Sequence, residues 1–285
     1  MIAIVDGGST KCDWVVLENS GKISQKTETV GFNPNIINAD FIPQEIEKNK
    51  HLHFLKNHLE QLFFYGSGCG SPENAALVEA QLQKVFPSTK ITVKEDMTAA
   101  AYAAYNGKPA IVCILGTGSN SCYFDGERVR RDLPSLGFLI GDEGSGSALG
   151  KQVLRRFFMK KLPKDLHQDF IETYHLTIED AIKNMYHNPR ANAYLAEFNK
   201  FVVQRKSHPY FQNMVFDEMK NFFEYQVLPY DEAREAEINF IGSIAFVYED
   251  ILRSAAAELN LNVGKIVQRP IESLVEYHKK YILNL

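Results

Sequence analysis

Cysteine is scarce and scattered, with four in 285 residues, at positions 12, 69, 113 and 122. No two form a CxxC pair, and none joins a histidine at zinc-binding spacing, so the pattern excludes a disulfide scaffold and a structural zinc site. Cys12, Cys113 and Cys122 fall in strand-like apolar runs, where a free thiol acts as a small buried hydrophobe. That usage fits a reducing cytoplasm. No apolar run approaches the roughly 18 residues that a membrane helix needs, so no membrane partner is expected. The first residues enter a strand without a basic stretch, and no signal peptide is expected. An excess of charge is lacking as well. Thirty-one Lys and Arg against 35 Asp and Glu leave a net charge of −4, which gives no pull toward nucleic acid. There is no low-complexity linker, no Walker A loop and no GxGxxG fingerprint. What remains is a chain that is 45% hydrophobic, rich enough for a sizeable core and long enough for one large domain or two medium ones.

One short pattern occurs twice. Residues 2–14 read IAIVDGGSTKCDW and residues 112–124 read VCILGTGSNSCYF. Each is an apolar run, a tight turn of Gly, Ser and Thr, and a second extended run. Aligned, Gly8 falls on Gly118, Ser9 on Ser119 and Cys12 on Cys122, while Asp6 meets Gly116. Only the first copy then carries an acid. Two facing strand–turn–strand loops with one carboxylate between them can hold a nucleotide's phosphates and one Mg²⁺. In DGGSTK, Gly7 and Gly8 let backbone N–H groups approach a phosphate. Ser9, Thr10 and Lys11 add hydroxyl and ammonium donors. Asp6 suits Mg²⁺, which uses one or two carboxylates together with waters and phosphate oxygens. The plainer alternatives are an ordinary Gly-Gly hairpin and an Asx-turn. Duplication favours the phosphate reading.

The spacing predicts three antiparallel strands at the start (2–5, 13–17 and an edge strand 23–29), with a turn at Asn19–Lys22. Residues 31–35 form a loop, and 40–60 are helical by spacing. A short strand over 62–65 ends at GSGCGSP. A helix over 73–86, a strand over 91–93 and an Ala-rich helix near 99–105 follow. After the second copy, 144 to about 230 is almost wholly helical, punctuated by prolines. Residues 238–241 and 262–267 are strands around a helix over 244–259, and 270–285 shows one apolar helix face. The apolar positions of 190–228 fit either the core or a homodimer interface, with the core as default.

Asp96 stands where a strand passes into a helix of small residues. It can cap that helix. It can also act as the acid that takes an acceptor hydroxyl's proton, a recurring part of phosphoryl transfer, because open α/β sheets place catalytic groups at strand carboxyl ends. In GDEGSGSALG, three glycines and two serines open a helix despite poor propensity. That composition suggests close approach by backbone or ligand. Asp142 there can bind hydroxyls of a polar substrate; the alternative is that Asp142 or Ser145 caps the helix.

IVDGGSTKCDWVVLE, ILGTGSNSCYFDG, the Asp96 strand end, GDEGS and FIGSIAFVYEDIL occur in that order over nearly the whole chain. Together they resemble the phosphate-one, phosphate-two and adenosine motifs of the actin/hexokinase/Hsp70 superfamily. Within it the chain is similar to N-acetylglucosamine kinases of the BadF/BadG-type ATPase family. The resemblance implies an α/β fold of two ribonuclease-H-like domains, mixed five-stranded sheets with flanking helices around a nucleotide cleft. Residues 1–107 with 270–285 would form the first domain and 108–269 the second. It implies a kinase using ATP and Mg²⁺ to phosphorylate the C6 hydroxyl of an amino sugar, with Asp96 as base and Asn33 and Asp142 on the sugar. Gly116, Thr117, Gly118, Ser119 and Asn120 would face the ATP phosphates, and Gly242 and Ser243 the nucleoside. Animal members carry Gly-Trp-Gly before GDEGS. Ser135, Leu136 and Gly137 stand there in this chain, as altered sugar contacts. The segment after Pro270 departs from the relatives' Gly-Ala-Leu as well. Two other activities belong to the comparison: an activating ATPase for a radical dehydratase, whose bridging iron–sulfur cluster would find only Cys69 in a loop, and a non-catalytic ATP switch.

Overall fold

The structure, a computed structural model, describes residues 1–38 and 40–285. In chain order it runs β1 (Ile2–Gly7), β2 (Lys11–Leu17), β3 (Ile23–Val30), α1 (Phe41–Lys48), α2 (Lys50–Phe54), β4 (Gln61–Gly66), α3 (Pro72–Val85), β5 (Lys90–Glu95) and α4 (Asp96–Ala104). It continues with β6 (Ala110–Leu115), β7 (Ser119–Phe124), β8 (Val129–Arg130), α5 (Gly137–Ile140), α6 (Gly146–Phe158), α7 (Lys164–Tyr174), α8 (Ile178–His187), α9 (Ala191–Glu197), α10 (Asn199–Gln204) and α11 (Pro209–Gln226). It closes with β9 (Glu237–Ile241), α12 (Ser243–Val247), α13 (Glu249–Glu258), β10 (Val263–Val267) and α14 (Ile271–Tyr277), which widens into a π-turn over His278–Leu283. Two compact units result, residues 1–105 with 270–285 and residues 106–269.

The first unit is a five-stranded mixed sheet of order β3-β2-β1-β4-β5. The hairpin strands β1, β2 and β3 are antiparallel, while β4 and β5 run parallel to β1. β1 sits centrally and is apolar on both faces, as a strand covered on both sides must be. Ala3, Val5, Trp14, Leu62 and Phe64 bury into one core. Residues 41–57 do not make one helix. Asn49 leaves helical geometry at ψ 106°, and its Oδ1 accepts from the N–H groups of His51 and Leu52, capping α2. Its Nδ2 donates to Thr27 Oγ1 and the Glu28 carbonyl, tying that break to β3. α14 packs on α4 of the same unit. Tyr102 and Tyr277 stack at 4.2 Å, and the buried His278 Nε2 lies 2.8 Å from Tyr65 Oη.

The second unit has the same plan, with order β10-β9-β6-β7-β8. β6–β7–β8 is antiparallel, and β9 and β10 run parallel to β6. Its core joins the sheet to α6, α7, α10, α11 and α13. Most apolar positions of 190–228, including Phe201, Phe211, Phe222 and Phe223, are buried there, while Tyr225 is exposed. Among the described residues no helix is long and apolar enough to cross a membrane.

Candidate active site

The two hairpins repeat less closely than their sequences do. In the first, Gly7 pairs with Cys12, and the Gly8 N–H donates to the Lys11 carbonyl at 2.9 Å. In the second, β6 stops at Leu115, two residues short of the position matching Gly7, and Leu115 pairs with Ser119. The Gly116 N–H then closes a tighter turn onto the Gly118 carbonyl at 3.0 Å. Cys122 therefore lies opposite Val112, not at the turn as Cys12 does. Sequence alignment paired residues that the shorter turn sets out of step.

The first hairpin also holds more acid than one residue. Asp13 stands opposite Asp6 across the ladder. The half-buried Asp6 carboxyl is pushed up to about 7, first by burial, then by Asp13 and Asp96, with Lys11 opposing. Holding it ionised is costly, and a cation beside it would relieve that cost. Among the described residues no group of three or more His, Cys, Asp or Glu could hold a metal alone. Asp6 with waters and phosphate oxygens is the donor set that fits Mg²⁺. Lys11 does not stand free for a phosphate: its Nζ lies 2.8 Å from Asp13 and 2.9 Å from Glu28. Ser9 Oγ accepts from Asn33 Nδ2 at 2.8 Å, so the residue expected on the sugar touches one expected on phosphate. Thr10 is exposed, and its carbonyl accepts from the Gly31 N–H.

Parallel pairing sets Gly7, Gly66 and Glu95 side by side at the carboxyl edge of the first sheet. Asp96 follows directly as the first residue of α4. The N-cap is Glu95, whose side chain makes no capping bond. Asp96 Oδ1 accepts the Met97 N–H at 2.9 Å, and Oδ2 accepts the Ser67 hydroxyl at 2.7 Å. A carboxylate held this way at a strand end can accept a proton from a hydroxyl brought to it.

In the second unit an acid does reach the turn, from elsewhere in the chain. Asp142 Oδ1 accepts the Ser119 N–H at 3.2 Å, and burial raises its carboxyl. A Cβ on Gly118 would lie 2.9 Å from Asp142 Oδ2, so the close approach depends on glycine. Asp142 itself has φ of 61°, a left-handed conformation that an aspartate adopts at a cost of about 1 kcal/mol or more. The Ser119 hydroxyl is buried without a partner, an orphan that a ligand oxygen would satisfy. Ser145, not Asp142, caps α6 by accepting the Ala148 N–H. The Gly146 and Ser147 N–H groups donate to the Gly116 and Thr117 carbonyls, so α6 begins on the turn itself. Glu218 of α11, buried and unremarked in the sequence, accepts the Gly144 N–H and the Gln152 amide and braces this loop. Asn120 Oδ1 accepts the Ser121 N–H. Ser135 is exposed, as is Leu136 at 53%, and Gly137 opens the single turn α5 at φ 66°. Gly242 (φ 123°) ends β9 against Leu115, where any Cβ would meet the Leu115 carbonyl at 2.2 Å, and the exposed Ser243 begins α12. Cys69 lies in a turn, as expected, but is only 4% exposed, and its thiol is pushed up to about 12 by burial and by Asp96 and Glu95.

Residues 5–207 match the model of the BadF/BadG/BcrA/BcrD ATPase family. The chain belongs to this family. A candidate N-acetylglucosamine kinase from Porphyromonas gingivalis is 34% identical over 99% of both chains, with a TM-score of 0.91. A second candidate N-acetylglucosamine kinase, from Chromobacterium violaceum, shares the fold at TM-score 0.74 and 14% identity, covering 97% of this chain and 98% of that one. A ROK glucokinase from Streptomyces griseus, solved with glucose and AMPPNP, shares it at TM-score 0.53 and 12% identity, over 96% and 97%. No curated protein sequence matches the chain. Two five-stranded mixed sheets with flanking helices are the architecture expected of this ATPase family from the motif order.

Proposed function

We propose that this ATPase-family member is a sugar kinase that transfers the ATP γ-phosphoryl group to the C6 hydroxyl of N-acetylglucosamine or a related amino sugar. One observation carries the reading. Asp96 is held as a proton acceptor at the same sheet edge as the Asp6–Lys11 turn, a juxtaposition a nucleotide switch does not require. The likeness at 34% identity to a candidate N-acetylglucosamine kinase supports the acceptor class.

Phosphoryl transfer asks for positioning and charge neutralisation more than covalent chemistry. In the first unit, Gly7, Gly8, Ser9 and Thr10 address phosphate oxygens. Lys11, held by Asp13 and Glu28, would address a phosphate only by leaving those pairs. Asp6 with waters holds Mg²⁺, which when bound neutralises phosphate charge. Asn33 orients a sugar hydroxyl, and Asp96 takes the proton of the attacking one. In the second unit, Gly116, Thr117, Gly118, Ser119 and Asn120 serve the phosphates and Gly242 and Ser243 the nucleoside. Asp142 binds sugar hydroxyls, and the exposed Ser135–Gly137 stretch meets the rest of the sugar. The expected setting is the cytoplasm. Activation of a radical dehydratase is disfavoured, because all four cysteines are buried and none is presented to share a cluster.

The test is a panel of hexoses and N-acetylated hexosamines scored for ADP release. Acetylated amino sugars should stimulate release most, and Asp96→Asn should keep ATP and sugar binding while abolishing transfer. Near-normal turnover by that variant, or steady hydrolysis that no sugar stimulates, would sink the proposal.

A further inference from the structure

The geometry points to Ser67 as a positioning residue that sets Asp96 against the phosphate turn; this rests on the sugar-kinase reading above. Ser67 is the first residue beyond β4, the strand between β1 and β5. Its two polar groups reach to opposite sides. The backbone N–H donates to the Gly7 carbonyl at 2.7 Å, and the side-chain Oγ donates to Asp96 Oδ2 at 2.7 Å. One residue therefore spans from the phosphate turn to the proton acceptor.

The hydroxyl is not needed to shape its own loop. Cys69 N–H donates to the Gly66 carbonyl, and Asn74 Nδ2 donates to the Gly68 carbonyl. Ser71, not Ser67, caps α3. With those bonds in place, the Ser67 hydroxyl is left to bond Asp96. A carboxylate turns easily about its last torsion. Donors on both oxygens, Met97 N–H on one and Ser67 on the other, fix its plane. The Ser67 bond is short and charge-assisted, the kind that holds an ionised carboxylate in place. In-line attack needs the reacting atoms about 3–3.5 Å apart, and a misplacement of about 1 Å can cost about a hundredfold in rate.

Ser67→Ala, Ser67→Thr and Asp96→Asn are compared with the unmodified protein, using ATP and the most stimulating sugar of the panel. Intact Trp14 fluorescence certifies folding of the first unit. Ser67→Ala should lower kcat roughly 10- to 100-fold, with KM for both substrates unchanged within about threefold. Ser67→Thr, which keeps the hydroxyl, should restore most of it. In the Asp96→Asn background, where only trace transfer measurable at high protein concentration is expected, the same Ala substitution should change that trace rate less than about threefold, since a residue acting through Asp96 has nothing left to position. Wild-type kcat in Ser67→Ala, a loss confined to KM, or full additivity with Asp96→Asn would overturn the inference while leaving the kinase reading intact. Absence of transfer to any sugar by the unmodified protein would remove both.

Discussion

Asp6→Asn should stabilise the first unit at neutral pH while removing its metal-side carboxylate. The Asp6 carboxyl sits at about 7 in the folded chain against an ordinary 3.8. The folded state therefore binds this proton more tightly than the unfolded one. Stability from this group is greatest below about pH 4, is lost as pH rises, and stops changing above about pH 7. Between pH 5 and pH 8 the loss comes to about 2–3 kcal/mol. Asparagine removes the titration and the repulsion from Asp13 and Asp96 together. The reporter is built in. Trp14 is the sole tryptophan of the sequence, is fully buried in the core of the first unit, and adjoins Asp13. Urea unfolding followed by its fluorescence, in chelator at pH 5 and pH 8, reads that unit. The unsubstituted protein should lose about 2–3 kcal/mol more than Asp6→Asn across that interval. Parallel losses in the two proteins would refute the account of Asp6 as a carboxylate ionised at a cost.

Two further outcomes follow from close approaches in the second unit. A Cβ on Gly150 would lie 1.8 Å from the Leu195 carbonyl, where α6 meets α9. Gly150→Ala should lower stability by about 1–3 kcal/mol or more, because backbone must separate; an unchanged calorimetric transition would contradict that packing. Gly118→Ala should push the Asp142 carboxylate off the Ser119 N–H and raise KM for the sugar several-fold with a smaller change in kcat. An unaltered KM would separate Asp142 from sugar binding.

Local signals in the sequence carried much of this fold. The opening hairpins were legible because their turns are short and rich in Asn and Gly, and β1 because Ile2–Val5 is an unbroken apolar run. The break at Asn49 was not, since its capping bonds depend on β3, which lies some 20 residues earlier in the chain. The site was legible where a motif is contiguous, as at DGGSTK and GDEGS. It was hidden where strand order assembles it. Ser67 reads as loop composition until β4 is placed between β1 and β5. Asp13 reads as a strand residue until the hairpin register sets it opposite Asp6. The expectation of a single acid failed for the same reason: Asp142 comes to the second turn from more than 20 residues away.

The return of α14 to α4 has a consequence for synthesis on the ribosome. Residues 1–105 leave the exit tunnel long before Ile271–Tyr277, and until then the face of α4 that bears Tyr102 has no helix on it. Tyr65 likewise waits for His278. The second unit, continuous from 106 to 269, meets no such delay. The first unit can therefore be completed only after the whole of the second has been synthesised.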